Sequence, residues 1–225
     1  MGHYDTSSCN YGLLGLMRIL AVFEILVNFA SVSESIDLRN MDKTTIYKGR
    51  PTDGNDARCD AELAVYDFLD KLGVDYMTYC HRAAFTMDEC AAVRNELGVP
   101  VFKNLFLTNR QQTQFFLLML PADKPFKTKY LSSQIGCARL SFASPEMMEK
   151  YLHIRPGAVS PMGLIFDTEK HVRLIIDKDL AEGEGHYACH PCVNTSSISL
   201  SLSDLFEKFL PATGHDFTWV ELRPE

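Results

Sequence analysis

The predicted fold depends most on one stretch of the sequence, Val101-Phe102-Lys103-Asn104-Leu105-Phe106-Leu107. The run is apolar enough for a buried strand, yet it carries an amine and an amide side by side. Neighbouring side chains on a strand point to opposite faces, so Lys103 and Asn104 cannot enter one pocket by simple alternation. An unpaired buried polar group costs about 1–3 kcal/mol. The run is therefore either an edge strand whose lysine reaches water, or the floor of a cleft where the amine meets an anion.

The composition of the chain is that of an ordinary globular protein, with 225 residues of which 46% are hydrophobic and 23% are charged. A chain of this length can bury one sizeable core with a small appendage. The formal net charge of −7 argues against a broad nucleic-acid footprint, but the charge is segregated. Residues 100–140 hold six basic residues and one acidic residue, which leaves that segment at +5 and the remainder at −12. The segment is either a binding face for a phosphate-bearing ligand or a solvated helix and turn.

The first forty residues differ from the rest of the chain. Residues 11–32 are strongly apolar but contain Arg18 and Glu24, and residues 1–10 hold no Lys or Arg. A spanning helix needs about 20 apolar residues with few charges, and a signal peptide needs a basic start. We therefore predict an apolar helix that packs on the domain or on another chain, and we rank membrane anchorage as the third possibility. A second possibility is that translation begins at Met41.

Apolar periodicity and turn residues predict an α+β fold with a mixed sheet, because helices and strands alternate without regular βαβ spacing. An N-terminal extension (residues 1–58, ending in a linker over 46–59) precedes the main domain (residues 59–225). The predicted helices cover residues 60–72, 86–97, 127–135, 144–152 and 203–210. The predicted strands cover residues 75–79, 101–107, 114–120, 163–166, 172–176, 196–202 and 217–222. Two hairpins are predicted, 101–107 with 114–120 and 163–166 with 172–176, and the strand over 196–202 is expected to be half-buried.

A glycine- and proline-rich loop, Arg155-Pro156-Gly157-Ala158-Val159-Ser160-Pro161-Met162-Gly163, precedes a predicted strand. Its glycines permit close backbone approach and its prolines fix the path. Such a loop is either a binding loop that aims N–H groups at a carbonyl or phosphate oxygen, or a rigid connection. Nucleophile elbows, Walker loops and dinucleotide fingerprints do not occur in the sequence, and Ser160 has no evident base beside it.

The seven cysteines are an odd number scattered along the chain, which does not resemble the disulfide framework of a secreted protein and favours a reduced, cytoplasmic setting. Cys189 and Cys192 frame His190 in a Cys-x-x-Cys motif, which suggests a redox pair or half a zinc site. A thioredoxin-like motif would lie where a strand meets a helix, whereas an apolar strand follows here. A structural zinc site needs four ligands, and a second pair with suitable spacing is absent from the sequence, although His186 and His190 could contribute.

Several motifs occur together in one order, and their combination is more specific than any one of them. They are Lys103-Asn104-Leu105-Phe106-Leu107, Leu120-Pro121-Ala122-Asp123-Lys124, Arg139-Leu140-Ser141-Phe142-Ala143-Ser144, Gly157-x-x-x-Pro161, and His190-Pro191 followed by Asn194-Thr195. This set resembles the YbaK/ProX family of aminoacyl-tRNA editing domains, with spacing closest to the free-standing prolyl-tRNA editing proteins. The resemblance covers about residues 61–222.

The resemblance implies a mixed, largely antiparallel curved sheet flanked by helices, and hydrolysis of alanine mischarged onto proline tRNA. It implies that Lys103 holds the phosphate-rich end of the tRNA. The pocket for the aminoacyl ester would contain Asn104, His190, Gly157, Ala158, Val159, Ser160, Pro161, Asn194 and Thr195. The partner would be a tRNA acceptor end that carries an amino acid, and not DNA, while no cofactor and no metal are expected. The oligomeric state is not predicted.

The expected chemistry is modest, because an aminoacyl ester is already activated. The protein need only orient water or a ribose hydroxyl and stabilise the oxyanion. Backbone N–H groups of the glycine loop suit the oxyanion, and His190 could accept a proton from the attacking oxygen. The leading hypothesis is a deacylase that acts in trans. The alternatives are a non-catalytic regulatory module that binds charged tRNA or a free amino acid, and a thiol protein that works through Cys189 and Cys192.

Overall fold

The computed structural model describes residues 45–54, 57–83, 95, 98–137, 139–181 and 185–223. All of these belong to one compact unit that starts at Lys43. The apolar helix predicted within residues 11–32 lies outside the described residues, and so does all but one residue of the helix predicted over 86–97. The domain boundary placed at 58/59 stays a prediction.

The strands form two sheets. A four-stranded antiparallel sheet contains, in spatial order, β1 (Thr45–Lys48), β2 (Tyr76–Cys80), β8 (Ser196–Ser201) and β7 (His186–Cys189). A five-stranded mixed sheet contains β5 (Leu140–Phe142), β3 (Phe102–Asn109), β4 (Phe115–Pro121), β6 (Val172–Asp177) and β9 (Phe217–Val220). The β4–β6 and β6–β9 pairs are parallel, and the other pairs are antiparallel. An isolated parallel bridge between Val101 and Ala188 joins the two sheets.

Helices flank these sheets, and the α+β class is confirmed. They are α1 (Asp60–Lys71), α2 (Thr128–Ile135), α3 (Pro145–Leu152) and α4 (Leu210–Thr213), with 3₁₀ turns at Pro161–Ile165 and Lys178–Leu180 and a π-helical segment at Asp204–Phe209. Helix α2 ends at Gly136, whose φ of 66° is the left-handed conformation typical of a helix C-terminus. Helix α3 begins at Pro145, where the missing N–H has no helical partner to lose.

The predicted hairpin of residues 101–107 and 114–120 is confirmed, since β3 and β4 pair antiparallel from Phe102–Pro121 to Thr108–Phe115. Strand β4 lies between β3 and β6 and is buried on both faces, which explains its unbroken apolar sequence. One face packs into the main core with α1 and β8, and the other packs beneath α2. The hairpin therefore separates two apolar layers.

The second predicted hairpin is wrong. Residues 163–166 belong to the 3₁₀ turn and its end, and β6 pairs with β4 and β9 instead. A side chain cannot replace Gly163, because a Cβ there would lie 2.7 Å from the carbonyl oxygen of Leu152. Asp167 then redirects the chain, since its carboxylate accepts hydrogen bonds from the backbone N–H groups of His171 and Val172. The turn over residues 167–170, which the sequence predicted to be a hairpin loop, thus leads into β6, and β6 pairs in parallel with β4 and β9.

Strand β8 is more buried than its alternating sequence predicts. Ser197 and Ser199 are 3% and 2% exposed. They lie opposite Tyr79 and Met77 of β2, on the face where a small apolar cluster forms around Tyr79 and Ala188. Residues on both faces of the strand are buried, so the half-buried prediction is corrected.

Strand β1 occupies the start of the segment predicted to be a linker. Thr45 to Lys48 pair antiparallel with Cys80 to Met77, at the edge of the four-stranded sheet. Residues of this strand are largely exposed, which explains why no apolar pattern marks it. Among the helices in the described part of the chain, none is long and apolar enough to cross a membrane.

Lys124 in the turn after β4 is bound by two carboxylates. Its Nζ lies 2.7 Å and 2.9 Å from the carboxylate oxygens of Asp177, which is fully buried, and 2.8 Å from Asp179. Asp177 also accepts hydrogen bonds from the backbone N–H groups of Asp179 and Leu222. This ion pair therefore ties the β3–β4 hairpin to the end of β6 and to the C-terminal segment.

We expect Asp177→Ala to destabilise the fold strongly. The substitution leaves the Lys124 ammonium with only the exposed Asp179 as partner and removes the acceptor of the Leu222 N–H. Breaking a buried pair costs about 3–5 kcal/mol. Asp179→Ala is the matched control, because Asp179 is 58% exposed and an exposed pair contributes roughly 0–1 kcal/mol. Urea unfolding of both variants measures the difference. Equal losses of unfolding free energy would contradict the role given to Asp177.

Candidate active site

His190 opens the turn that connects β7 to β8. Its Nδ1 lies 2.8 Å from the carbonyl oxygen of Ser196. A carbonyl can only accept, so Nδ1 carries the proton and Nε2 keeps its lone pair. Burial lowers the pKa of His190 below its ordinary value, and the neighbouring His81 lowers it further. The fold thus holds a neutral imidazole in a single tautomer, with the lone pair on Nε2.

His81 is a candidate residue that the sequence analysis missed. Its ring centre lies 6.1 Å from that of His190, and its backbone N–H donates to the carbonyl oxygen of Thr195. Its Nε2 lies 2.9 Å from the hydroxyl of Ser197. A single histidine after a strand carries no local motif, and only the pairing of β2 with β8 brings it to the turn.

The Gly157–Pro161 loop meets the same turn. A Cβ at Gly157 would lie 3.6 Å from the side-chain nitrogen of Asn194, and the φ of 91° at Gly157 is one that glycine adopts readily. Ser160 is fully buried, and its hydroxyl accepts from the N–H of Met162 and also bonds the thiol of Cys189. Gly157 is therefore exposed at the junction, whereas Ser160 anchors the loop from below.

The other members of the predicted pocket divide by burial. Ala158 and Pro161 are buried in the main core, and Val159 is half-buried against it. The N–H of Ala158 is already donated to the carbonyl oxygen of Arg155. Thr195 is exposed, and its carbonyl accepts from His81. The structure thus brings together Gly157, Asn194, Thr195 and His190, while Ala158 and Ser160 support them.

Asn104 points from β3 towards the main core. By alternation it shares a face with Phe102 and Phe106, which pack into the cluster that contains Tyr187 and Ala158. Its Nδ2 makes a long contact of 3.5 Å with the carbonyl oxygen of Phe102. Its Oδ1 is buried and has no hydrogen-bond partner among the residues that the structure describes. An acceptor left in this state costs about 1–3 kcal/mol, which a donor from a bound ligand would recover.

Lys103 points to the opposite face. Its Nζ donates to the carbonyl oxygen of Lys124 at 2.9 Å, and its side chain is half-buried. The parallel bridge joins Val101 to Ala188, so Lys103 and His190 each lie two residues beyond a bridged residue. His190 also neighbours His81, which bonds Ser197 on the Tyr79 face of the four-stranded sheet. Among the described residues, no hydrogen bond joins Lys103 to His190, and the bridge relates only the segments that carry them.

A buried polar network lies behind the turn. Arg58 donates to Glu62 at 2.6 Å, and the Tyr66 hydroxyl donates to the same carboxylate at 2.8 Å. The Tyr66 hydroxyl also lies 3.1 Å from that of Ser196, whose carbonyl fixes His190. Burial and the nearby Glu62 carboxylate raise the pKa of Tyr66, so the hydroxyl stays protonated. Helix α1 thus fixes the first residue of β8, on which the orientation of His190 depends.

The two cysteines beside His190 do not suit thiolate chemistry. Both are buried and free, and burial raises the pKa of Cys189 to about 11 and that of Cys192 above its ordinary value. The thiolate is the nucleophile and the metal ligand, so such thiols are inert near neutral pH. Groups of three or more His, Cys, Asp or Glu residues that could hold a metal ion do not occur among the residues that the structure describes.

Comparison with known proteins places this site in a family. Residues 81–208 match the aminoacyl-tRNA editing domain family. The chain is 36% identical over 163 residues to the prolyl-tRNA editing protein ProX of Acetoanaerobium sticklandii, which covers 72% of this chain and 98% of the relative. It is 31% identical over 160 residues to the prolyl-tRNA synthetase associated domain-containing protein 1 of Danio rerio, which covers 71% of this chain and 86% of that protein.

The fold agrees with this assignment. The crystal structure of a proposed trans-editing enzyme for prolyl tRNA synthetase superposes with a TM-score of 0.55 at 15% identity, over 75% of this chain and 99% of that one. The match over more than half of the sequence, together with the identity to ProX over nearly its whole length, shows that this chain belongs to the aminoacyl-tRNA editing domain family.

Proposed function

We propose that this chain is an editing hydrolase that acts in trans on mischarged tRNA, with alanyl-tRNA for proline as its leading substrate. The observation that carries the proposal is the convergence of the Gly157 loop with the His190 turn in a chain of the editing family. An exposed glycine, a neutral imidazole and an unpaired amide oxygen lie around one sheet junction. Hydrolysis of an activated ester requires little more than such positioned polar groups.

His190 supplies the basic group in this proposal. Its Nε2 lone pair accepts the proton of the attacking water or ribose hydroxyl, and a positioned base contributes typically 10²–10⁴-fold to the rate. The Ser196 carbonyl stabilises the imidazolium that forms, because it accepts the hydrogen bond from Nδ1–H both before and after His190 takes up the proton. We assign the oxyanion to N–H groups of the glycine loop other than that of Ala158, which Arg155 already uses.

Asn104 and Lys103 bind the substrate on either side of β3. The unpaired Oδ1 of Asn104 is an acceptor for an ammonium or hydroxyl group of the aminoacyl-adenosine. When tRNA binds, the Lys103 amine gives up its hydrogen bond to the Lys124 carbonyl and bonds a phosphate instead. The charge-assisted hydrogen bond to phosphate is stronger than the bond to a neutral carbonyl. Asn194 and Thr195 line the other side of the pocket. These residue roles are part of the proposal, and we propose the cytoplasm, where charged tRNA occurs, as the place of the activity.

We expect purified protein to release alanine from mischarged proline tRNA, and Lys103→Ala to remove most of that activity by weakening phosphate binding. We expect His190→Asn to lower kcat/KM by on the order of 10²-fold, the low end for a positioned base. A panel of mischarged tRNAs measures the substrate range. Lys71→Ala is the matched control, since Lys71 ends α1 on the exposed surface. If every mischarged tRNA loses its amino acid no faster than in buffer alone, the hydrolase hypothesis is contradicted. Calorimetric binding of charged tRNA without turnover would instead favour the regulatory module.

The double variant Cys189→Ala/Cys192→Ala tests the thiol hypothesis separately. Both thiols are protonated and buried, so we expect the variant to keep its deacylation rate and its response to oxidants. Its thermal melting temperature reports any loss of packing. A lower deacylation rate with an unchanged melting temperature would indicate a chemical role for the thiols.

The pH profile tests the role of His190. Its folded pKa is depressed, so the neutral, basic form persists as the pH falls below the ordinary histidine value of 6.5. We expect the acid limb of kcat/KM to fall below pH 6.5, and an NMR titration of His190 to show the same midpoint. His190→Asn should remove the limb as well as lower the rate. A limb at or above pH 6.5 that survives in His190→Asn would assign the base to another group.

A further inference from the structure

A backbone carbonyl decides which nitrogen of His190 carries the proton, so the donors that compete for that carbonyl matter. The carbonyl belongs to Ser196, the first residue of β8, and its oxygen lies 2.8 Å from Nδ1 of His190. In a regular antiparallel pair, such an oxygen accepts from a backbone N–H of the neighbouring strand. Its use by a side chain instead therefore needs a physical reason.

The register of β7 and β8 identifies the backbone donor that the Ser196 carbonyl would otherwise meet. The N–H of Leu202 donates to the carbonyl oxygen of Gly185, so every second residue of β8 back to Ser196 turns its N–H and C=O groups towards β7. The ladder keeps this register as far as Cys189 and Ile198. The next hydrogen-bonded pair of the same kind, two residues further along each strand, would join Ser196 to position 191.

Position 191 is occupied by proline, which has no backbone N–H to donate. Pro191 is buried, and the ladder ends before it, since β7 stops at Cys189. A proline after a strand is often only a strand terminator. Here, however, the oxygen that the proline leaves unpaired is the one that bonds Nδ1 of His190, the residue just before it. Any other residue type at 191 would place an N–H where a ladder bond reaches the same oxygen.

The peptide group between Ser196 and Ser197, which carries this carbonyl, is held from both faces of β8. The Ser196 hydroxyl lies 3.1 Å from the hydroxyl of Tyr66. The single proton of Tyr66 is donated to the Glu62 carboxylate, so Ser196 donates to the tyrosine oxygen. The Ser197 hydroxyl, which points to the opposite face, lies 2.9 Å from Nε2 of His81. The two hydroxyl contacts fix the direction of the carbonyl between them.

His81 acts on the turn through hydrogen bonds of known direction. Its Nδ1 lies 2.7 Å from the carbonyl oxygen of Arg82, which can only accept, so Nδ1 donates and Nε2 accepts from Ser197. Its backbone N–H donates to the carbonyl oxygen of Thr195. Both ring nitrogens of His81 are thus engaged by the protein, and its influence on His190 runs through the backbone of residues 195–197.

We propose that Pro191, Tyr66 and His81 are positioning residues for His190. Pro191 reserves the Ser196 carbonyl for Nδ1 of His190, and Tyr66 and His81 hold that carbonyl in place from opposite faces of β8. The inference rests on the proposed function for the role of His190 as the base. Without the bond to Ser196, the proton can move to Nε2, and the nitrogen that accepts the proton of the attacking oxygen becomes a donor.

The test uses the full chain and the variants Pro191→Ala and Tyr66→Phe. Heteronuclear NMR of the imidazole nitrogens at about pH 8, where the histidine ring is neutral, reports the tautomer of His190 without any substrate. We expect the Nδ1–H tautomer alone in the wild-type protein, and a population of the Nε2–H tautomer in each variant. The kcat/KM for deacylation of alanyl-tRNA should fall roughly tenfold in each, the factor that corresponds to one hydrogen bond. Ser196→Ala removes the same hydroxyl contact as Tyr66→Phe and replaces that variant if it does not fold.

His81 is tested by a double-mutant cycle with its partner. If His81 acts through Ser197, His81→Phe and Ser197→Ala lower kcat/KM equally, and the double variant lowers it no further than either single one. Additive losses would show that His81 acts by another route and would remove it from the positioning set.

Two controls match the chemical changes away from the Ser196 carbonyl. Tyr76→Phe removes a hydroxyl that bonds Asp70 on the same helix, from a buried ring that stacks on Tyr66. Pro211→Ala removes an exposed proline of α4. We expect both controls to keep the wild-type tautomer and the wild-type deacylation rate.

Three results would overturn the positioning role. They are a wild-type ring in the Nε2–H tautomer, an unchanged tautomer in both Pro191→Ala and Ser196→Ala, and equal changes in the controls. Failure of the proposed function is distinguishable from these results. Wild-type protein would then cleave no aminoacyl ester, whereas the tautomer of His190 in the free protein still decides the positioning role.

Discussion

The alternation of side chains along β3 is the constraint on which the rest of the structure depends. Phe102, Asn104 and Phe106 face the main core, while Lys103 and Leu105 face the layer beneath α2. The strand can serve both layers because β4 beside it is apolar on both sides. The two polar residues lie at the start of the strand, where the second sheet joins through the bridge from Val101 to Ala188.

The same junction explains how His190 is held. The stack of Phe102 on Tyr187, with ring centres 4.8 Å apart, packs β7 against the start of β3. From the other side, the Arg58, Glu62 and Tyr66 network fixes Ser196. Burying an ion pair contributes little net stability, so its value here lies in orienting one carbonyl towards Nδ1 of His190. A hydrophobic replacement would fill the space without specifying that direction.

The sequence predicted the fold class and most of the elements, because apolar periodicity and local turn chemistry act over short ranges. It failed where long-range pairing decides. Residues 163–166 have the composition of a strand, but the close approach of Leu152 to Gly163 and the turn built by Asp167 send β6 into a parallel pair. The resemblance to the editing family implied that Gly157 and Asn194 share a pocket, and the two residues are close in the structure. His81 became visible only through the register of β2 and β8.

Counting charged residues in the sequence overestimates the positive charge that is available to bind a ligand, as Lys124 shows. The residue contributes to the +5 segment, yet two carboxylates from beyond residue 170 hold its amine. Within the described part of the chain, no carboxylate forms an ion pair with Arg110, Lys127 or Arg139, so these residues keep their positive charge unneutralised there. The difference matters for function, since a phosphate must compete with any existing partner for a cation.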